Sequence, residues 1–330
     1  MANSPKTNGT QKENRLLDMM LADLKIAPGV YQPTNFWSSL LDQNIATIRQ
    51  FGVKSFRDQS ATIHFVPHYT EGEKQYFVSA MDDYRIFLAA DQDCEPKLKH
   101  ISESKVGNPT QQSQFDNNQY SRSMLNYLRG IAFLKKTVDT SSIRRVLEIG
   151  GGYGTLGEIF LKSDFEHCCY IDIDIPPAAY IATRYLQEVF GHQNILDYSQ
   201  TRENDSLEID RIAASYKCAV LMPWQIPVIT GKVDLFVNFF SFQEMEPDIV
   251  KNYAAFVDQC RPEYLLLRNQ RGGQRLAEKP GKVGVIEQTT REHYIKFFHN
   301  YECVAIDSKT FGCIKEEFES EVMIFKRKQR

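Results

Sequence analysis

The sequence predicts an α/β fold: a doubly wound, mostly parallel sheet that finishes in a late antiparallel hairpin, preceded by a mainly helical N-terminal extension. Three observations carry this. From residue 145 onward, short apolar runs alternate with helical patterns, the signature of strands joined by crossover helices. The first of those runs feeds straight into a glycine cluster, Gly150-Gly151-Gly152-Tyr153-Gly154. The first hundred residues, by contrast, show helical spacing and little else.

The elements follow in order. Met1 to Glu13 is polar and is expected to be a frayed tail. Residues 14–106 read as a helical unit. Leu16, Leu17, Met20, Leu21 and Leu24 share one helical face, and Trp37, Leu40, Leu41, Ile45 and Ile48 mark a second helix over Phe36–Phe51. Ala27-Pro28-Gly29 and Gln32-Pro33-Thr34 break the chain between them. Thr62 to Val66 is expected to be a short strand, and Met81 to Ala90 a further helix. The polar stretch from Asp91 to Asn118 contains the boundary, and residues 107–330 form the α/β unit. There Ser123–Leu134 reads as a helix, Arg145–Ile149 as the first strand and Thr155–Lys162 as its helix. Cys168–Asp174 is the second strand, and Pro176 and Pro177 open a helix to Phe190, where a missing N–H costs nothing. Ala219–Met222, Val233–Asn238 and Tyr264–Arg268 are the next strands. Pro247–Gln259 and Thr290–His299 are helices, and Cys303–Asp307 and Glu321–Lys326 form the closing hairpin.

Composition narrows the function. The formal net charge of -3 gives no support to a nucleic-acid partner, which needs a basic face. The basic run Lys326-Arg327-Lys328-Gln329-Arg330 reads as a solvated tail. No apolar run approaches the roughly 20 residues of a membrane helix, and no leader pattern opens the sequence, so a cytoplasmic location is expected. The seven cysteines include no CxxC pair, which argues against a structural zinc site and for buried thiols in a reducing compartment.

The strand-to-turn segment Val146-Leu147-Glu148-Ile149-Gly150-Gly151-Gly152-Tyr153-Gly154 is where chemistry is expected. A backbone that must approach a ligand at the carboxyl end of a strand has to dispense with side chains. Two cofactors fit. Gly152-Tyr153-Gly154-Thr155-Leu156-Gly157 satisfies the dinucleotide pattern G-x-G-x-x-G. S-adenosylmethionine is favoured instead by Glu148, whose carboxylate suits the methionyl ammonium, by the position of the turn in mid-chain and by the closing strands. Asp174 ends the second strand and is suited to both ribose hydroxyls; Asp172, two residues earlier, is the alternative. A non-catalytic structural turn is the remaining reading.

With Asp174-Ile175-Pro176-Pro177, Asn238-Phe239-Phe240-Ser241-Phe242-Gln243-Glu244-Met245, Gly107-Asn108-Pro109, Leu221-Met222-Pro223-Trp224 and Tyr264–Gln270 added to the glycine turn, the chain resembles the sugar O-methyltransferases found among bacterial polysaccharide and lipopolysaccharide biosynthesis genes. The resemblance covers residues 107–330 well and the extension more loosely. It implies a class I, Rossmann-like methyltransferase sheet and methyl transfer from S-adenosylmethionine to a hydroxyl of a nucleotide sugar or glycan.

Such a transfer is an in-line displacement, helped by alignment and by a base for the acceptor hydroxyl. Glu244 is the first choice of base, against the alternative that it caps the helix starting at Pro247. His293 is the rival base, although a lone helical histidine is more often packed or exposed; His64 and His68 read the same way. Asn238 is assigned to the cofactor, and Ser241, Gln243, Arg268 and Asn269 to the acceptor. Pro223 and Trp224 are expected to flank the adenine, with a core role for Trp224 the alternative. Arg129 fits the cofactor carboxylate or, more plainly, a solvated helix face. The chemistry needs no metal, and none is expected. The extension is expected to shape the acceptor site, to pair two subunits into a homodimer, or both.

Overall fold

The protein is described by a computed structural model covering residues 7–58, 60–61, 63–67, 72–91, 95–165, 167–307 and 320–329. Helices α1 (Thr7–Leu24), α2 (Asn35–Ser38), α3 (Leu41–Phe51), α4 (Glu73–Asp91) and α5 (Arg122–Thr137) come first, with a small hairpin of β1 (Ser113–Phe115) and β2 (Asn118–Tyr120) ahead of α5. The α/β unit follows as β3 (Arg145–Ile149), α6 (Thr155–Lys162), β4 (Cys169–Ile173), α7 (Ala178–Phe190), β5 (Ile195–Leu196), α8 (Tyr198–Thr201), β6 (Leu207–Glu208), α9 (Ile209–Ser215) and β7 (Cys218–Leu221). It closes with β8 (Ile229–Thr230), β9 (Leu235–Phe239), α10 (Pro247–Cys260), β10 (Tyr264–Gln270), α11 (Arg291–Phe297), β11 (Tyr301–Asp307) and β12 (Ser320–Arg327).

Eight strands form the central sheet in the order β11-β12-β10-β9-β3-β4-β7-β5. β5, β7, β4, β3, β9 and β10 pair in parallel, whereas β12 runs antiparallel to both β10 and β11. This is the mostly parallel sheet with a late hairpin that the alternating pattern predicts. The strand order reverses around β3, so the crevice beside its carboxyl end is the natural ligand site.

Both faces of the sheet are buried, which is why its strands read as continuous apolar runs. Val146, Tyr170, Leu235 and Leu266 pack with α5, α6 and α7 on one face. Leu147, Ile171, Phe236 and Leu265 pack with α9, α10 and α11 on the other. The first of these cores also takes in Leu16, Leu17 and Met20 of α1, Ile48 of α3 and Phe87 of α4, so the helical extension shares a core with the sheet. Asp23 ties α1 to α8, accepting hydrogen bonds from Tyr198 Oη at 2.7 Å and from Arg202 at 2.7 and 2.8 Å.

The extension departs from expectation in several places. α1 starts at Thr7, inside the segment expected to fray, and residues 1–6 lie outside the described residues. The helix expected over 36–51 is two helices, broken at Ser39 and Leu40. Residues 63–67 form a turn rather than a strand, with Val66 N–H donating to Ile63 O at 3.0 Å; Thr62 and His68 lie outside the described residues. The β1–β2 hairpin begins within the polar stretch read as holding the domain boundary and runs past its end to Tyr120. Its turn residues Asp116 and Asn117 have φ of 46° and 67°, the left-handed pair that a tight hairpin turn needs. Among the described residues no helix is long and apolar enough to cross a membrane.

Candidate active site

The carboxyl ends of β3, β4 and β9 open on a cleft of about 1570 Å3, and α2, α3, α4, α5 and the 63–67 turn form its opposite wall. Its floor is the glycine turn. Gly150, Gly152 and Gly154 adopt φ of 77°, 64° and 92°, where a side chain is strained. Gly151 has no room for one: a Cβ there would lie 2.6 Å from Asp172 Oδ1 and 2.7 Å from the Tyr170 hydroxyl. The turn is lashed to β4 through backbone donors. Gly151 N–H donates to Asp172 Oδ1 at 3.1 Å, Gly152 N–H to Asp174 Oδ2 at 2.9 Å and Gly150 N–H to Ile173 O at 2.9 Å.

The two aspartates separate clearly. Asp174 lines the cleft and also accepts from Ile175 N–H at 2.7 Å; burial pushes its carboxyl up to about 7 against the pull of these backbone donors. Asp172 is fully buried beneath the turn and does not line the cleft. Asp172 lies within β4 and, like its register partner Glu148, points to the α5–α6 face, whereas Asp174 stands past the last strand residue, Ile173, where alternation no longer holds. Glu148 is likewise fully buried, accepting hydrogen bonds from Tyr170 Oη and, at 3.2 Å, from Tyr127 Oη. Burial raises its carboxyl to about 8, opposed by the two tyrosines. In this arrangement Glu148 supports the turn from below and does not line the cleft.

Past β9, Ser241, Gln243 and Glu244 line the cleft, whereas Asn238 and Asn269 do not. Asn238 is spent on the scaffold: its amide donates to Ile149 O at 2.9 Å and to Ser241 Oγ at 2.6 Å, and its oxygen accepts from Asn269 Nδ2 at 3.1 Å. Asn269 in turn accepts from Gln243 N–H at 3.2 Å. Gln243 Oε1 accepts from Gln270 N–H at 2.6 Å. Glu244 sits in a short 3-10 turn, Phe242–Glu244, and Trp37 Nε1 donates to its Oε2 at 3.1 Å. Burial raises its carboxyl to about 8, with the Trp37 hydrogen bond pulling the other way and the nearby Asp174 charge adding to the rise. Glu244 does not cap α10; the residue at that cap is Glu246.

Several expected contacts are not made. His293 is outside the cleft: its Nδ1 accepts from Thr290 N–H at 3.1 Å, closing a capping box at the start of α11, and its ring packs on Phe297. Trp224 stacks edge-on against Tyr198, donates to its hydroxyl at 2.9 Å and stays out of the cleft, which Pro223 lines. Arg268 lines the cleft, with its guanidinium 5.2 Å from the Phe240 ring and donating to Asn126 O at 3.1 Å. Arg129, read either as a partner for the cofactor carboxylate or as a solvated side chain, is buried, paired with Asp83 and lines the cleft.

No family model matches the chain, and no curated protein matches it. Solved structures do. One is a SAM-dependent methyltransferase from Leishmania major, 11% identical, with a TM-score of 0.41 over 61% of this chain and 71% of that one. A second is magnesium protoporphyrin IX methyltransferase from Synechocystis PCC 6803 with bound SAH, 11% identical, with a TM-score of 0.40 over 78% and 97%. A third is the mitomycin 7-O-methyltransferase, 11% identical, with a TM-score of 0.38 over 91% and 74%.

His64, read from sequence as a lone histidine that is more often packed or exposed, and Trp37, Asn44 and Phe65, to which the sequence assigns no site role, line the cleft opposite the glycine turn. Phe65 O lies 3.6 Å from where a Cβ on Gly152 would stand. Tyr153, the one side chain within the turn, reaches into the extension: its ring lies 5.1 Å from the Arg57 guanidinium and its hydroxyl donates to Glu103 Oε1 at 3.3 Å. Arg57 and Glu103 form a buried ion pair. Phe240, at φ 66°, is a left-handed non-glycine residue at the cleft wall, the kind of strained position that collects at functional sites. Helical spacing says which face of α3 is apolar; it does not say that α3 lines a cleft opposite a glycine turn more than a hundred residues away.

Proposed function

We propose that the protein transfers a methyl group from S-adenosylmethionine to a hydroxyl of a sugar, nucleotide-linked or within a glycan. The observation that carries the reading is the pairing of the glycine turn at the end of β3 with the Asp174 carboxylate at the end of β4, both facing the cleft that Glu244 lines. The cofactor fits this donor set. Gly150 to Gly154 let the backbone approach it, and Asp174 retains acceptor capacity for the ribose hydroxyls. When bound, S-adenosylmethionine supplies an electrophilic methyl group on a sulfonium.

The chain's own residues do the rest. Pro223 and Ile175 offer an apolar wall for a base, and Ser241 and Gln243 end the opposite side of the turn. The amides of Gln32, Asn44, Gln75, Asn126, Gln243 and Gln274 line the remaining cleft, a surface suited to a polyhydroxylated acceptor. Glu244 is assigned to the transfer centre, where Trp37 holds its carboxyl by a hydrogen bond. The resemblance of the Ser241–Met245 segment to sugar O-methyltransferases supports the same acceptor class. Radiolabelled methyl transfer to a panel of nucleotide sugars tests the reading. Incorporation into at least one sugar is the expected outcome; activity confined to non-sugar acceptors would replace the sugar with another small molecule.

A further inference from the structure

We propose that His64, held by Asn44, is the proton acceptor for the substrate hydroxyl. The proposal rests on the methyl-transfer reading and adds to it the group that takes the proton.

Two hydrogen bonds settle the chemistry of this pair. His64 N–H donates to Asn44 Oδ1 at 3.1 Å, and a backbone N–H only donates, so the atom it meets is the amide oxygen and not the nitrogen. The same oxygen lies 3.1 Å from His64 Nδ1. An amide oxygen only accepts, so the proton sits on Nδ1. In the neutral ring Nε2 then carries the lone pair and is the basic nitrogen. Burial lowers the pKa of His64, which keeps the ring neutral and able to accept.

Position agrees with this role. His64 and Asn44 both line the cleft, and the next residue, Phe65, brings its carbonyl over Gly152 of the cofactor turn. The Phe65 ring lies 6.4 Å from that of Trp37, which holds Glu244. One turn of the extension therefore faces the glycine floor and neighbours the Glu244 wall. Asn44 is fully buried, and its Nδ2 has no hydrogen-bond partner. A buried amide donor left open at the edge of a cleft is costly unless a ligand oxygen completes it. Asn44 is accordingly the positioning residue: it orients the imidazole through its oxygen and offers its N–H to the acceptor.

The step balances within the groups named. The acceptor oxygen gives its proton to His64 Nε2 as it bonds to the methyl carbon, and the carbon–sulfur pair stays on sulfur, leaving S-adenosylhomocysteine and an imidazolium that returns the proton to solvent. Glu244 cannot fill this role as readily at neutral pH, since its raised carboxyl is then mostly protonated.

Histidine 15N spectra of the ligand-free protein test the geometry without any turnover. The expected spectrum shows His64 neutral at pH 7 with the proton on Nδ1; a proton on Nε2 would overturn the assignment. Kinetics test the role. H64Q should bind S-adenosylhomocysteine within about threefold of wild type yet lose about 10²–10⁴-fold in kcat, the usual scale for a missing base. H64A should recover part of its rate with added imidazole. Full kcat in H64Q overturns the proposal, as does loss of S-adenosylhomocysteine binding in both variants, which would assign His64 to the cofactor. If the wild-type protein itself fails to bind S-adenosylhomocysteine, the methyl-transfer reading fails first, and the spectra still report on the tautomer.

Discussion

Trp37 of the helical extension donates its indole N–H to Glu244 of the α/β unit at 3.1 Å, across 207 residues of sequence. This bond closes the cleft over the carboxyl ends of β3 and β9, and Thr34 reinforces it by donating to Glu244 O at 2.9 Å. Trp37→Phe keeps the ring and removes the donor. Because the bond pulls the Glu244 carboxyl down, its loss should push that carboxyl further up. Expected are a stability loss of about 0.5–1.5 kcal/mol for the lost half-buried hydrogen bond and a fall in kcat/KM, measured by urea unfolding and steady-state kinetics. Unchanged kinetics would separate Trp37 from the site.

Gly151→Ala should abolish cofactor binding. The new methyl would meet Asp172 Oδ1 at 2.6 Å and Tyr170 Oη at 2.7 Å, both anchored beneath the turn. Overpacking of this kind costs about 1–3 kcal/mol, and here it also displaces the Gly151–Asp172 hydrogen bond. Gly29→Ala is the control: its added Cβ meets nothing within 4 Å, and its stability should stay within about 0.5 kcal/mol of wild type.

The Arg57–Glu103 pair is the buried link between the extension and Tyr153. Arg57→Met should cost about 3–5 kcal/mol, because Glu103 is left as an uncompensated buried charge. Arg57→Met combined with Glu103→Gln should recover much of that loss. Chemical denaturation of both variants checks the pair; equal losses would show that the ion pairing is not what matters there.

Glu148 makes stability depend on pH in a defined direction. Burial raises its carboxyl from the ordinary 4.5 to about 8. The folded protein therefore holds this proton up to a pH at which the unfolded chain has already released it. Stability is full below about 4.5 and falls as pH rises toward 8. Asp174, raised from 3.8 to about 7, acts in the same sense over a lower window. Glu148→Gln removes the larger window, so its urea midpoint relative to wild type should rise between pH 5.5 and pH 8.5. A constant difference would contradict the buried-acid account.

The α/β unit was legible because its signals are local. Val146 to Ile149 leading into glycines, the runs of β4, β9 and β10, and the late pair β11–β12 each declare themselves within a few residues. The two-residue strands β5, β6 and β8 have no counterpart in the sequence reading, because so short a run carries no period. At the site, Asp174, Ser241, Gln243 and Glu244 line the cleft. Asn238 and Asn269 resemble ligand-binding residues in sequence, but each is satisfied by the other and by neighbouring scaffold groups. His293 is taken by a helix cap whose geometry depends on Thr290. His64 reads in sequence only as a lone histidine, more often packed or exposed than catalytic: its partner Asn44 is 20 residues away, and the Gly152 turn that Phe65 covers is far more distant.

The central claim is that the turn from Gly150 to Gly154, with Asp174 beside it, holds S-adenosylmethionine. Isothermal titration of the full chain with S-adenosylhomocysteine, alongside NAD, tests it most directly. The account predicts saturable binding of S-adenosylhomocysteine, weakened about tenfold or more in Asp174→Asn (a loss of roughly 1.4 kcal/mol), and no binding of NAD. Tight NAD binding with none of S-adenosylhomocysteine would contradict it.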